Sequence, residues 1–532
     1  MMEVMGKQEF ADGAAQKIGT IAKIDETETA SEPGQKKYPA GKREFRFGLG
    51  IIISGLLMAN ATIYGGFNLG FAVAAILSIV ISAVYLQTVN REQKATPNKT
   101  YALILLALST VIAASFVRAD DGYVKFVMLM FLMVSVNLGL CLLAGKNRRS
   151  PDTLASLGDA GHTLFSLGFG EMEPVSRGVK EGFRHSGPAG KKGGAVLLGL
   201  SMAVPVLLVI CFLLMRADAA FEGLMDRLPD FSLGEFIGTI LVGGCIAIVL
   251  YTRGAALKHS EGRPVVTRTR KGLAALTVNT VLVSVSLVYV VYLVSQLAYF
   301  IGGFAGILPE EYTLAEYARR GFFEMAVLCG INLSIMVFSL WVCREKEPTP
   351  LSTRILCLVI GIVTLFFVAA ASAKMILYID SYGLTRLRLL TQIVMIFLGI
   401  TTAVVNVWLF VPRLPYMKVV LVIALIMGAA VSWADVDTQV ARYNVNAYLE
   451  GRIYGVDVGH LMNMGDGAIP YLAKLQEEVT DAQVLEDVKI ALEYRLSHVE
   501  AEDDDFRDWN YAEWRAAKYL GDKAERLEEA AE

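Results

Sequence analysis

The sequence predicts an all-α fold: a polytopic transmembrane helical bundle of about eleven spans, followed by a small C-terminal helical extramembrane domain. Hydrophobic residues make up 54% of the 532 residues and charged residues only 19%. Apolar runs recur between Phe45 and Trp433, each close to the roughly 20 residues that a helix needs to cross a bilayer. The connections between these runs alternate between basic and base-poor, which gives the bundle an orientation.

The elements follow in order along the chain. Residues 1–44 are polar and mixed in charge, so they predict a disordered cytoplasmic leader. The bundle occupies 45–433 and includes a basic cytoplasmic loop at 145–193, whose charge fits contact with anionic lipid headgroups. The predicted spans are 46–64, 68–89, 101–117, 124–144, 194–215, 232–251, 273–301, 322–343, 354–375, 389–411 and 416–433.

The basic connections predict the orientation, because Lys and Arg beside a span are retained in the cytoplasm. Every second connection, starting with the leader, is basic, as at 91–99, 145–193 and 253–271. The intervening loops carry acidic residues such as Asp120 and Asp121. The N-terminus is therefore predicted to be cytoplasmic, and eleven spans place the C-terminus outside. One span more or fewer would reverse the side of the C-terminus.

The composition changes after Trp433. Residues 434–532 are acidic and have helical periodicity, which predicts an acidic helical extracytoplasmic domain. We expect helices at 437–450, 468–478, 482–500 and 506–527.

Ionisable residues concentrate in two stretches of the predicted outer face, 314–324 and 374–388. Glu324 and Lys374 lie inside apolar runs, where an unpaired charge costs at least about 2.5 kcal/mol, so they should pair or face a wet cavity. Two interpretations stay open. The stretches form a site for an anionic or zwitterionic ligand, or they anchor the helices at the interface through snorkelling cations and an aromatic belt.

A third group follows the last span, where Arg442, Tyr443 and Asn444 lie within one helical turn. Arg442 could pair with an acidic residue of the outer loops and dock this segment on the bundle; ligand binding is the alternative. The complete set of candidate site residues is Glu316, Tyr317, Arg319, Arg320, Glu324, Lys374, Tyr378, Asp380, Tyr382, Arg386, Arg388, Arg442, Tyr443 and Asn444.

Four stretches, 216–221, 314–324, 374–388 and 440–449, resemble a bacterial polytopic membrane family of unknown function (DUF4153/DUF4173-like). The resemblance runs from about Phe45 to Leu475 and includes the segment 466–472. Gly465 and Gly467 flank Asp466 where the family pattern has Ser-Pro before the Asp and Ala after it. The resemblance implies a multi-span bundle and a membrane location, and it implies no activity.

No catalytic, cofactor or metal signature is present: the five histidines are dispersed, and Walker, GxGxxG and nucleophile-elbow patterns are missing. The sequence favours a non-enzymatic protein of the bacterial cytoplasmic membrane that binds, signals or scaffolds. Its expected partners are the lipid bilayer and an envelope protein or small ligand on the outer face. We expect no nucleic-acid partner. One alternative is a secondary transporter of a small anionic or zwitterionic solute that uses Glu324 and Lys374. A membrane-embedded enzyme on lipid-linked substrates, with Glu316 and Asp380 as acid and base, is another.

Overall fold

The computed structural model describes residues 38, 41–90, 98–185, 210, 214, 233–259, 273–304, 322–343, 349–499 and 507–520. Within these ranges the chain is helical and has no strands, as the composition predicts. The helices up to the last span are α1 Lys42–Tyr64, α2 Leu69–Asn90, α3 Lys99–Ser115, α4 Gly122–Leu143, α5 Leu157–Gly161, a π-helix His162–Leu167, α6 Met172–His185, α7 Leu233–His259, α8 Ala275–Phe304, α9 Phe322–Val342, α10 Leu351–Tyr382, α11 Arg386–Phe410 and α12 Tyr416–Ala434. The helices beyond it are α13 Val436–Leu449, α14 Val458–Met462, α15 Ile469–Glu478, α16 Ala482–Val499 and α17 511–520.

Ten of the predicted spans coincide with helices. Nine helices in the described part of the chain are long and apolar enough to cross a membrane, and α3 is a shorter apolar helix. The fifth predicted span, 194–215, falls almost entirely outside the described residues. The chain is thus an all-α, multi-pass membrane protein.

Helix α1 begins at Lys42, close to the predicted end of the leader at 44, and residues 1–37 lie outside the described ranges. Two predicted span ends are wrong. The sixth span continues to His259, so Arg253 and Lys258 belong to a helix and not to a loop. The ninth span continues to Tyr382, where Gly383 with φ +75° ends it. Near the end of the sixth span, Arg253 donates to the neutral side chain of Asn137 and Lys258 pairs with Glu44.

The bundle consists of two groups of helices. Helices α1–α4, α7 and α12 share one hydrophobic core, whereas α8–α11 pack around two others that include Phe367 and Cys357. The two groups meet where α11 packs on α12. Glycine permits the closest contact within the first group: a Cβ atom on Gly243 of α7 would lie 2.8 Å from the Cα atom of Leu56 in α1. Small residues commonly bring membrane helices together in this way.

The segment after Trp433, which we call the tail (434–532), packs on one end of the bundle. Helices α13, α15 and α16 lie close to the expected bounds, and α14 is an additional short helix. The last predicted helix, 506–527, begins later than expected, because α17 starts at 511. Residues 500–506 and 521–532 lie outside the described ranges. Buried tail residues such as Val440, Leu472 and Leu520 belong to the same hydrophobic cluster as α1–α4.

Contacts between loops divide the bundle into two ends. At the tail-side end, the tail contacts the loops around 65–68, 116–121 and 383–385. At the opposite, leader-side end, the start of α1 contacts the end of α7 and Lys418 contacts Asp152. Loops that the charge alternation assigns to one side therefore do meet at one end. Which side of a membrane each end faces stays a prediction.

Candidate functional site

An ion pair fastens α13 to the bundle. Arg386, the first residue of α11, donates from Nε to Oδ1 of Asp437 and from Nη2 to Oδ2. The Asp437 side chain is fully buried, and its Oδ2 also accepts the backbone N–H of Gly465 at 2.9 Å. Arg386 Nε lies 3.3 Å from Oδ2 of Asp121 as well. The buried negative charge of the tail is thus neutralised by a cation at the end of a span.

Asn444 holds the loop between α10 and α11. Its Oδ1 accepts the N–H of Leu384 at 2.7 Å, and its Nδ2 donates to the carbonyl of Leu384 at 2.8 Å. Gly383 has φ +75°, and a Cβ there would lie 2.7 Å from Asn444 Oδ1. Glycine is required here both for its backbone conformation and for the close approach of the amide.

The two residues before Asn444, Arg442 and Tyr443, differ in their contacts with the bundle. The hydroxyl of Tyr443 donates to Oδ1 of Asp380 at 3.0 Å, and the guanidinium of Arg452 lies 5.4 Å from the Tyr443 ring centroid. Burial and the Asp380 carboxylate raise the pKa of Tyr443 above its usual value. Arg442 is exposed and forms no ion pair with any residue that the structure describes. Among the described residues, the tail is docked by Arg386 and Asp437, with the charges reversed relative to the expectation for Arg442; the acidic outer-loop segments 218–230 and 310–316 lie outside the described residues.

A second contact joins the tail to the loop before α4. Oδ2 of Asp120 accepts the N–H of Asp466 at 2.8 Å, and Nη1 of Arg495 lies 3.1 Å from Oδ1 of Asp466. A Cβ on Gly465 would lie only 1.7 Å from Asp120 Oδ2. The glycine before Asp466 therefore lets the Asp120 carboxylate reach the backbone at the start of the helical turn Asp466–Ala468.

Asp435 lies close to Asp437 and Asp120, the two carboxylates of the contacts described above. It joins α12 to α13 with φ +54°, the only positive φ of a non-glycine residue in the described part of the chain. Its Oδ2 accepts the hydroxyl of Thr438, whereas its buried Oδ1 has no hydrogen-bond partner among the described residues. Burial, reinforced by the negative charges of Asp437 and Asp120, raises the pKa of Asp435 to about 6. A Cβ on Gly467 would lie 2.5 Å from Asp435 Oδ2, so this glycine too permits a close approach.

A pocket of about 190 Å³ opens beside the α10–α11 loop. Its walls combine apolar and aromatic side chains with two threonines and one guanidinium: Phe322, Met375, Tyr378, Thr385, Leu387, Arg388 and Thr391. The Arg388 guanidinium lies 4.0 Å from the Tyr378 ring centroid, and its Nη1 donates to the carbonyls of Tyr382, at 3.0 Å, and Gly383. The pocket wall and the Asn444 contact therefore share one loop.

The end of the described tail returns to the first loops of the bundle. Nδ2 of Asn68 donates to the Asp508 carboxylate at 2.6 Å, and Nδ2 of Asn510 donates to the carbonyl of Ala119 at 3.1 Å. The N–H of Tyr511 donates to the carbonyl of Val117 at 2.8 Å. The last described segment of the tail is thus hydrogen-bonded to loops that lie about 400 residues earlier in the sequence.

The structure brings together most of the predicted site residues that it describes. Five of them lie at the end of α10 and the start of α11: Tyr378, Asp380, Tyr382, Arg386 and Arg388. Two more, Tyr443 and Asn444, pack against this region from α13. The first four candidates, Glu316, Tyr317, Arg319 and Arg320, lie outside the described residues, as do the stretches 216–221 and 314–321.

Glu324 and Lys374 do not form the pair that their position suggested. Glu324 lies exposed in the first turn of α9, Lys374 is half-buried in α10, and the two side chains form no ion pair with each other. Hydropathy places both charges near a membrane boundary but does not fix how their helices are rotated about their axes.

Sequence reasoning missed Asp435 and Asp437 as site residues. Both follow the last span directly, and an acidic pair at that point could have been noticed as the counterpart of Arg386. The roles of Asp120 and Asp121, which were recognised only as acidic loop residues, depend on a contact across the fold.

A family model described as "Domain of unknown function (DUF4153)" matches residues 100–475. The chain belongs to this family. The predicted family resemblance is thus confirmed, and the match ends at the expected residue 475 but begins at 100 and not near 45. The matched region of this DUF4153 member contains Asp120, Arg386, Asp437 and Asn444, and it excludes α1, α2, α16 and α17. Comparison with curated proteins and with solved structures found no match.

Proposed function

We propose that this DUF4153 protein is a non-enzymatic binding protein of the bacterial cell envelope, which receives a ligand or partner at its tail-side end and signals or scaffolds across the membrane. One observation carries the proposal: the pocket beside Arg388 and the docked tail share the loop 383–385. A ligand that recruits the donors of Arg388 would weaken the hydrogen bonds of this guanidinium to Tyr382 and Gly383. Because Asn444 holds the same loop, occupancy of the pocket would alter how firmly the tail is docked.

The pocket lining supports a particular class of ligand. Arg388 supplies the one formal charge among the described lining side chains, and Phe322, Met375 and Leu387 supply apolar surface. A volume of about 190 Å³ suits a molecule of the size of an amino acid. We therefore propose a small anionic or zwitterionic ligand with an apolar part, whose carboxylate pairs with the Arg388 guanidinium.

The alternation of basic loops supports an extracytoplasmic location for this end, which labelling of intact cells tests directly. In a variant whose six cysteines are replaced by serine, Tyr454→Cys introduces a thiol in the tail, where the native side chain is fully exposed. Leu154→Cys, 59% exposed in the native protein, is the matched control at the leader-side end. We expect a membrane-impermeant maleimide to label the first variant on intact cells and the second only after permeabilisation. Labelling of Tyr454→Cys only after permeabilisation would overturn the proposed outer site.

Binding is tested with the twenty L-amino acids as probes on purified protein in detergent. We expect at least one anionic or zwitterionic probe to raise the thermal unfolding temperature of the wild type but not of Arg388→Gln. Arg413→Gln is the matched control, because Arg413 is exposed at the leader-side end. No shift with any probe would refute the ligand class. Uptake of the bound probe into proteoliposomes would identify a transporter instead.

A further inference from the structure

Arg253 is a buried cation without a counter-charge among the described residues. It lies in α7, less than two turns before the helix ends at His259, and only 4% of the residue is exposed. Its Nη1 donates to Oδ1 of Asn137 at 3.1 Å, and its buried Nε has no hydrogen-bond partner in the described ranges. No carboxylate in the described part of the chain lies within ion-pair distance of this guanidinium. Burying an uncompensated charge costs several kcal/mol, so the arrangement calls for an anion.

Two buried carboxylates that the structure describes at the leader-side end, Glu44 and Asp159, are already engaged. Glu44 lies 2.9 Å from Nζ of Lys258 and 3.5 Å from Nε2 of His259. Oδ2 of Asp159 accepts the backbone N–H groups of Arg148 and Arg149 at 3.0 and 3.1 Å. Neither acid therefore supplies the charge that would balance Arg253.

The π-helix His162–Leu167 packs on both helices of the Arg253–Asn137 contact, α7 and α4. At its end, a Cβ on Gly168 would lie 3.2 Å from Cγ1 of Val249, one turn before Arg253. π-helical turns are rare and frequently occur at functional sites. A second, independent feature thus marks the same region.

We propose that Arg253 binds the phosphate group of an anionic ligand between α4, α7 and the π-helix. The planar guanidinium pairs with phosphate through two parallel hydrogen bonds, and Nε is one of the two donors that such a pair uses. The phosphate belongs to a phospholipid headgroup or to a free phosphate ion. This site lies at the opposite end from the Arg388 pocket and does not rest on its function.

The test measures phosphate on the whole purified protein. Lipid phosphorus that remains per chain after extensive detergent washing reports a headgroup, and equilibrium dialysis against radiolabelled inorganic phosphate reports the free ion. Arg253→Gln removes the charge, Arg253→Lys keeps the charge without the fork, and Arg177→Gln is the control because Arg177 is an exposed arginine paired with Glu173. We expect the wild type and Arg177→Gln to retain one more lipid phosphate per chain than Arg253→Gln, or to bind free phosphate at least about tenfold more tightly.

The outcomes separate the two sources. Loss of lipid phosphorus in Arg253→Gln assigns the headgroup, and loss of dialysis binding alone assigns the free ion. Wild-type protein that retains no lipid phosphate and binds no inorganic phosphate overturns the proposal without reference to any variant. Equal binding by wild type, Arg253→Gln and Arg253→Lys overturns it as well. If Arg253→Gln does not fold, Arg253→Lys decides, because a flexible ammonium cannot replace the two-point contact and its phosphate affinity should fall.

Discussion

Arg386 and Asp437 are 51 residues apart in the sequence and are separated by the spans α11 and α12, yet they form a two-point ion pair. The pair neutralises a carboxylate that is completely buried between tail and bundle. It connects the first residue of a span to the first turn of the helix that follows the last span. The tail is consequently part of the bundle end and not an independently tethered segment.

Arg386→Gln should loosen the tail. Breaking a buried ion pair costs roughly 3–5 kcal/mol, and we expect about 2–4 kcal/mol here because Arg386 is partly exposed. Chemical unfolding in detergent, together with the rate of tail cleavage by protease, measures the effect. Arg442→Gln, which changes an exposed arginine of the tail helix α13, should stay within about 0.5 kcal/mol of the wild type. The double change Arg386→Gln with Asp437→Asn should cost less than the sum of the single changes; strict additivity would contradict the pair.

Asn444→Ala should release the α10–α11 loop. The change leaves the buried N–H and carbonyl of Leu384 without their partners, and each unsatisfied group costs about 1–3 kcal/mol. We expect faster hydrogen exchange at Leu384 and a lower unfolding temperature. Asn463→Ala is the comparison, because Asn463 bonds to the carbonyl of Gly459 at an exposed position. Equal effects of the two substitutions would show that Asn444 does not hold the loop.

Gly467→Ala tests the close packing around Asp435. The new Cβ would lie 2.2 Å from the Thr438 hydroxyl, so the turn before α15 must shift, and we expect a loss of about 1–3 kcal/mol. Thr438→Ala in the same chain should restore part of the stability by removing the nearest atom. Gly455→Ala, where no described atom lies within 4 Å, should be neutral. A Gly467→Ala protein as stable as Gly455→Ala would disprove this packing.

The stability of the docked tail should depend on the protonation of Asp435. Its pKa is raised to about 6 in the folded protein from 3.8, so the folded state binds the proton more tightly than the unfolded state. The free energy of unfolding therefore rises as the pH falls through 6, by about 1 kcal/mol between pH 7 and pH 5, and it is smallest above pH 6. The groups that face Asp435 are Asp437 and Thr438 on α13 and Asp120 before α4; Arg386 compensates Asp437.

Asp435→Asn isolates this contribution. Asparagine resembles the protonated carboxyl and tolerates the positive φ, so the variant should be more stable than the wild type at pH 7 and should lose the rise toward pH 5. Unfolding curves at several pH values for the two proteins measure the difference. A wild-type curve that is flat over this range, or one with the opposite slope, would refute the assignment to Asp435.

Much of the architecture could be predicted from local patterns. The described spans between α1 and α12 follow from continuous apolar length, and the helices α13, α15 and α16 follow from their periodicity. The end of α7 could not be placed, because charged residues there are stabilised by distant partners, such as Glu44 for Lys258. In the same way, clustering of Tyr378, Arg386 and Arg388 follows from their closeness in sequence, whereas the contribution of Asp120 and Asp437 depends on contacts between remote segments.

The sequence by itself determined that this chain crosses a membrane many times, which loops meet at each end, and that an acidic helical tail follows. These properties depend on composition and on spacing along the chain, which hydropathy and charge report directly. Only the tertiary structure decided that Arg386 docks the tail through Asp437 and that Glu324 and Lys374 do not pair with each other. It also decided that Gly465 and Gly467 leave room for the carboxylates of Asp120 and Asp435. The reason is geometric: the rotation of each helix about its axis, and the distance between segments far apart in the chain, are set by packing across the whole bundle.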